Sequence, residues 1–284
     1  MDFFLRKDIM ESTAIKRIFN RWGFLISLLI KAEKICGVKI LRSGNPSLKA
    51  DSFKNFKETD TGLKMTIQGT VNKTFILLLL LLVTFVYSWN QFVNSPDSVM
   101  PLILVGAIGG LVIGLITVFV PKVSPFTAPV YALLQGLFLG AVSAQYESQY
   151  GGIVFQAVLI TIGVLLSLLL IYKSGLIKVT QNFRLGIAAA TGAIFVVYLI
   201  SFIGGFFGFE IPHLHEATPL GIGISVVIVI VAALNLVLDF DFIENAAERQ
   251  VPKYFEWYGA FGLLVTLVWL YLEILRLLSK IRSR

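Results

Sequence analysis

The sequence is poor in the residues on which most catalytic and metal centres depend. Among its 284 residues are one cysteine, Cys36, and two histidines, His213 and His215. A single cysteine excludes an internal disulfide scaffold, and two histidines leave little for a histidine-rich centre. Charged residues make up 14% of the chain, against about 25% in soluble domains. This scarcity argues against a water-soluble globule, and the hydrophobicity excludes intrinsic disorder everywhere except near the N-terminus.

Long apolar runs dominate the chain instead. Hydrophobic residues account for 56% of the sequence, and a helix needs about 20 mostly apolar residues to cross a bilayer. Seven stretches meet this requirement, at roughly 74–92, 101–120, 127–146, 153–172, 186–207, 220–241 and 258–278. The alternating segments typical of membrane β-barrels are absent from the sequence. The prediction is an all-α membrane protein, with a seven-helix membrane domain over 74–284.

The basic residues are distributed as membrane-flanking charges. Fourteen of the 24 Lys and Arg residues lie in 1–73, which predicts a basic cytoplasmic N-terminal segment and not a nucleic-acid-binding surface. Within it, the apolar run 23–30 is flanked by basic residues. This pattern predicts an interfacial helix near 18–35 lying on anionic lipid, with a poorly ordered tail as the alternative.

The loops between the predicted spans alternate in charge. Those at 121–126, 173–185 and 242–257 contain Lys or Arg, whereas those between them contain neither. By the positive-inside rule, the N-terminus and every second loop lie in the cytoplasm. The C-terminus is then outside if the last segment spans, although the basic residues of the C-terminal tail also allow a re-entrant segment.

Three carboxylates fall within the predicted spans, where a charge is costly and usually functional. Asp239 lies four residues after Asn235 and shares its helix face, so the two form one inward polar stripe. Asp241 points elsewhere and is expected at a solvated helix end. Glu273 lies in the last span, three residues before Arg276. Two interpretations remain open for it: a self-contained ion pair with Arg276, or a proton- or cation-responsive carboxylate.

Enzymatic function is not predicted. The sequence contains neither an HExxH nor a GxSxG motif, and no histidine lies in a predicted span. No phosphate-cradling glycine loop is recognisable. We therefore expect a protein that is not an enzyme and that has no cofactor and no resident metal site.

Several segments resemble the bacterial branch of the Bax inhibitor-1 family. They are MTIQGTVNK (65–73), APVYALLQGLFLG (128–140), YKSGLIKVTQNFRL (172–185), ALNLVLDFDFIE (233–244) and the stretch 253–281, which contains LVWLYLEILRLL. The resemblance covers about residues 44–282. It implies a seven-helix protein of the bacterial inner membrane in which the last helix is surrounded by the other six.

The resemblance also implies a function and a site. Better-studied relatives are described as pH-sensitive calcium leak channels, in which an acid on the sixth helix and an acid on the seventh form a proton-sensing pair. The sixth-helix motif falls on Asp239 and Ile243, and the seventh-helix motif LYLD falls on LYLE, which ends at Glu273. The implied ion pathway therefore contains Asp239, Glu273 and the neighbouring Asn235.

This chain departs from the pattern of its relatives. Asp is replaced by Glu at 273, and the two acids are 34 residues apart; in a simple helical hairpin this spacing leaves them about 18 Å apart in depth. An arginine that relatives carry on the second helix is missing, and Lys122 is the nearest substitute as a charge partner. Two other functions stay open: a non-conducting regulator that binds other membrane proteins, such as a protease, and a proton-coupled transporter.

Overall fold

The computed structural model describes residues 64–95, 99–208 and 216–283. Within these ranges it contains seven helices long and apolar enough to cross a membrane. They are α1 (Ile67–Asn94), α2 (Met100–Phe119), α3 (Ser124–Gln149), α4 (Ile153–Lys173), α5 (Gln181–Phe206), α6 (Pro219–Glu248) and α7 (Phe255–Arg282), with a short 3-10 turn at Pro121–Val123 before α3. All seven predicted spans are confirmed. The expected interfacial helix near 18–35 and both histidines lie outside the described residues.

Helix boundaries follow local capping signals more closely than the limits of the apolar runs. α1 begins at Ile67, so residues 67–73, expected in the N-terminal segment, are already helical. The cause is Thr66, whose Oγ1 accepts a hydrogen bond from Gly69 N at 2.9 Å and so satisfies a donor that the helix itself leaves unpaired. Thr180 and Thr218 cap α5 and α6 in the same way.

The last helix is the most buried of the seven. In its most apolar stretch 67% of the residues are buried, compared with 6% in α5. Its backbone packs closely against α1, α3, α4 and α6, whereas α2 packs on α3, and α5 packs mainly on α6. The predicted central position of α7 is thus confirmed, and α2 and α5 lie towards the outside of the bundle.

Small residues bring α1 and α3 into close contact, as is usual where helices associate in lipid. A side chain on Gly136 would overlap the backbone carbonyl of Leu81, and one on Gly140 would overlap the carbonyl of Phe85. Thr84 Oγ1 adds a hydrogen bond to Leu133 O at 2.8 Å. This seam fixes the outer layer against which α7 packs.

Candidate functional site

Asn235 and Asp239 are buried on the same face of α6. Their exposed fractions are 2% and 0%. Asn235 Nδ2 donates to Thr191 Oγ1 of α5 at 2.9 Å and to Val231 O at 2.8 Å. Its amide oxygen has no hydrogen-bond donor among the described residues. The stripe therefore offers a carboxylate and a nearby carbonyl oxygen inside the membrane span.

Glu273 lies in a compact polar cluster between α5 and α7, and it is 2% exposed. Arg276 Nη1 donates to its Oε1 at 3.0 Å, and the Tyr198 hydroxyl of α5 lies 3.0 Å from both carboxylate oxygens. Trp269 Nε1 donates to Oε1 at 3.2 Å. Arg276 Nη1 also donates to the Tyr198 hydroxyl oxygen at 2.6 Å, so the three groups close a ring of hydrogen bonds.

Two contacts fix the register of the α6–α7 hairpin. Near the turn, a Cβ on Gly259 would lie 3.2 Å from Ile243 Cγ1. At the other end, Lys280 Nζ donates to Ser225 Oγ at 2.8 Å. Both helices are continuous between these points, so the residues between them pair at regular antiparallel positions.

This register separates the two acids that the resemblance pairs. Asp239 lies level with the part of α7 near Leu264, and Glu273 is nine residues further along that helix. At 1.5 Å per residue the two are about 14 Å apart along the axis, which is beyond the combined reach of an aspartate and a glutamate side chain. Both helices are unbroken, from 219 to 248 and from 255 to 282, so neither bends to bring the two acids together.

Asp241 is not at a solvated helix end, contrary to the expectation from the sequence. Its Oδ2 accepts a hydrogen bond from Arg184 Nη2 of α5 at 2.6 Å, and its side chain is 16% exposed. Nearby, the Tyr172 hydroxyl at the end of α4 donates to Glu244. The negative charge of Asp241 is therefore compensated by the ion pair with Arg184, where the sequence analysis expected hydration by water.

Lys122 is at the wrong end of the bundle to pair with Glu273. It lies exposed in the 3-10 turn before α3, and nearby Ser124 Oγ donates to Tyr254 O, just ahead of α7, at 3.0 Å. Glu273 is nineteen residues beyond Tyr254, or about 28 Å along the axis. The proposed substitution of Lys122 for the missing arginine is therefore wrong for Glu273, whose positive partner is Arg276.

The structure reveals a polar stripe on α5 that the sequence analysis missed. Arg184, Thr191 and Tyr198 contact Asp241, Asn235 and the Glu273–Arg276 pair, respectively. They recur every seven residues, a spacing that keeps them on one face of a helix. A heptad search for polar residues in this span would have found them.

Glu256 is a second buried carboxylate of α7 that sequence reasoning missed. It is 2% exposed and accepts hydrogen bonds from Thr66 N and Thr66 Oγ1, each at 3.0 Å. Lys73 Nζ also contacts it, and Gly69 leaves the space that its carboxylate occupies. The signal in the sequence was an acid in the first turn of an apolar helix, which the helix dipole favours.

Comparisons with known proteins place the chain in one family. A family model described as Bax inhibitor 1 like matches residues 45–283. No curated protein and no solved structure matches the chain.

Proposed function

The chain belongs to the Bax inhibitor 1 like family, and we propose that it is a cation leak channel, with calcium as the expected cation, which opens when Glu273, a carboxylate within its membrane spans, is protonated. The observation that carries this proposal is the burial of Asp239 and Glu273, at 0% and 2% exposure, inside helices that span the membrane. Such groups are expensive to maintain in a bilayer and mark ion or proton pathways.

Asp239 and Asn235 support the cation-binding part of the proposal. Calcium prefers oxygen ligands, and carboxylate and amide oxygens both serve. The buried Asn235 amide oxygen has no donor among the described residues, and Asp239 follows it by one helical turn on the same face. A partly dehydrated cation passing this level would meet both oxygens.

Glu273 supports the proton-sensing part. In the ionised form it accepts hydrogen bonds from Tyr198 and Arg276 and thereby ties α5 to α7. Protonation of Glu273 removes the negative charge with which Arg276 pairs. It also weakens the hydrogen bond from the Tyr198 hydroxyl, because a neutral carboxyl group is a poorer acceptor than a carboxylate. Acidification should therefore loosen α5, the least buried span.

The α5 stripe takes the role that direct contact between the two acids was expected to have. One helix contacts Asn235 through Thr191 and Glu273 through Tyr198, so a displacement of α5 at one level is transmitted to the other. Sensing at Glu273 and conduction past Asp239 can then be coupled over about 14 Å.

Calcium flux into liposomes of purified protein tests the proposal. We expect flux to rise as the pH is lowered from about 8 to about 5. Glu273→Gln cannot ionise, and it should weaken this pH dependence and raise flux at neutral pH. Asp239→Asn should lower flux throughout the range, because it removes the charge that attracts the cation.

Glu248→Gln is the matched control, since it removes one carboxylate from the exposed end of α6 and should leave the flux curve unchanged. Liposomes with protein that leak no faster than empty ones would favour a regulator that binds other membrane proteins. Flux that requires an imposed proton gradient would favour a proton-coupled transporter.

A further inference from the structure

A cleft opens between α5 and α6 in the half of the membrane where α5 ends and α6 begins. Its volume is about 580 Å³, and its lining is apolar apart from Tyr198. Its walls run from Ile228 to Leu220 on α6 and from Ala193 to Tyr198 on α5. It begins just beyond the Thr191–Asn235 hydrogen bond between the two helices.

The cleft opens to the outside of the bundle. Among the residues that line it, Leu220 is 60% exposed and Val227 is 59% exposed, whereas Ile228 at its inner end is 5% exposed. Both walls belong to membrane-spanning helices, so the medium at the opening is lipid hydrocarbon. The one polar group in the lining, the Tyr198 hydroxyl, already bonds to Glu273 and Arg276. A water-soluble ligand would find no further hydrogen-bonding group there.

The dimensions of the cleft match one lipid tail. The nine residues from Leu220 to Ile228 span about 12 Å of helix, close to the thickness of one leaflet of a hydrocarbon core of about 30 Å. The volume lies within the range of small-molecule sites, about 300–1,000 Å³. A void of this size in lipid contact loses the dispersion energy of its walls unless a chain fills it.

We propose that this cleft is a binding site for one acyl chain of a bilayer phospholipid. The chain lies along α6, and its inner part contacts Ile228. The side of the acyl chain packs against the ring of Tyr198. The lipid therefore fills the space between α5 and α6 where the two helices are not in contact. Lipid binding in this cleft does not require the protein to conduct ions.

Photolabelling tests the site in the whole protein. The protein is reconstituted with a phosphatidylcholine that carries a diazirine on one acyl chain, and labelled peptides are mapped by mass spectrometry. We expect residues 193–198 and 220–228 to be labelled at least about threefold more per residue than 158–170 of α4, because a chain enclosed between two helices contacts more side-chain atoms than one lying on a single helix face.

Filling the cleft should remove this preference. Gly223 lines it, and a Cβ there would meet no atom within 4 Å, so Gly223→Leu extends a side chain into open space. Ala193→Leu does the same from the opposite wall. Each should reduce labelling of the cleft segments by about threefold, to the level of annular lipid.

Gly163→Leu is the control, because Gly163 also has open space around it but lies on α4, away from the cleft. It should leave the labelling pattern unchanged. Uniform labelling of α4, α5 and α6 in the unmodified protein would overturn the proposal, and so would unchanged labelling in both filled variants. Peptide cross-links from this cleft to a second copy of the chain would instead make it a subunit interface.

Discussion

At the scale of single residues, the polar groups inside the bundle depend on their immediate partners. Glu273 and Arg276 are one turn apart on α7 and share Tyr198 as a third partner. Breaking a buried ion pair by removing one partner typically costs about 3–5 kcal/mol, because the other charge is left uncompensated.

A double-mutant cycle should separate this pair from Asp239. Glu273→Gln and Arg276→Gln should be strongly non-additive in the free energy of unfolding, because they remove the same interaction. Glu273→Gln and Asp239→Asn should be additive within about 0.5 kcal/mol, as expected for groups that share no contact. Reversible unfolding of the purified protein in mixed micelles measures both. Coupling between residues 239 and 273 that exceeds the coupling between 273 and 276 would contradict the register derived above.

Glu256 should matter for stability and much less for ion passage. Its carboxylate accepts hydrogen bonds from Thr66 and contacts Lys73, so it joins the start of α1 to the start of α7. Glu256→Gln should cost about 2–4 kcal/mol, because Lys73 would lose its buried counter-charge. Thermal unfolding in detergent measures the loss, with Glu248→Gln as the exposed control. Equal effects of the two substitutions would show that the Lys73 contact contributes little.

At the scale of helices, the spans differ in how they are held in the bundle. α1, α3 and α7 pack through close backbone contacts, whereas α5 is held by three polar contacts on one stripe. In lipid no hydrophobic effect drives helices together, so packing and hydrogen bonds decide which of them associate firmly. α5 is therefore the span most easily displaced, which is what the proposed gating requires.

The seam between α1 and α3 should be intolerant of added volume. Gly140→Ala places a methyl group against the Phe85 carbonyl and should destabilise the protein by about 1–3 kcal/mol, since the two backbones must separate. Gly163→Ala adds the same group where no atom lies within 4 Å and should be neutral or slightly stabilising. Thermal unfolding of the two variants gives the comparison. A similar loss in both would contradict the seam, because helix propensity favours alanine over glycine and cannot be its cause.

At the scale of the whole molecule, seven candidate spans predict that residues 64 and 283, the ends of the described part of the chain, lie on opposite sides of the membrane. The basic N-terminal segment and the charged alternate loops predict a cytoplasmic N-terminus. A continuous helix from Phe255 to Arg282 is long enough to cross, since about 20 residues suffice. The three basic residues after Ser279 would then lie outside.

Reporter fusions test this topology. A phosphatase that is active only outside the cytoplasm should be active when fused after Arg284 and inactive when fused before Met1. The reverse result at both ends would mean that the whole molecule is inverted. Inactive phosphatase at both ends would mean that the last segment enters the membrane and returns to the same side.

The sequence by itself determined the number and position of the spans. Transfer of a segment into lipid depends on the composition of about 20 consecutive residues, which is a local property that needs no knowledge of neighbouring helices. The family could be identified for the same reason, because its motifs are contiguous. The sequence also indicated that Asn235 and Asp239 share a face and that Glu273 can reach Arg276, since positions three or four apart on a helix are adjacent.

Only the tertiary structure decided which groups meet across helices. The register of α6 against α7 depends on the turn between them and on the packing of Ile243 against Gly259, and it sets Asp239 and Glu273 about 14 Å apart. The contacts of Arg184 with Asp241 and of Tyr198 with Glu273 link residues 57 and 75 positions apart. No local pattern specifies such pairs, because each depends on how two helices are placed and rotated by the packing of all the others.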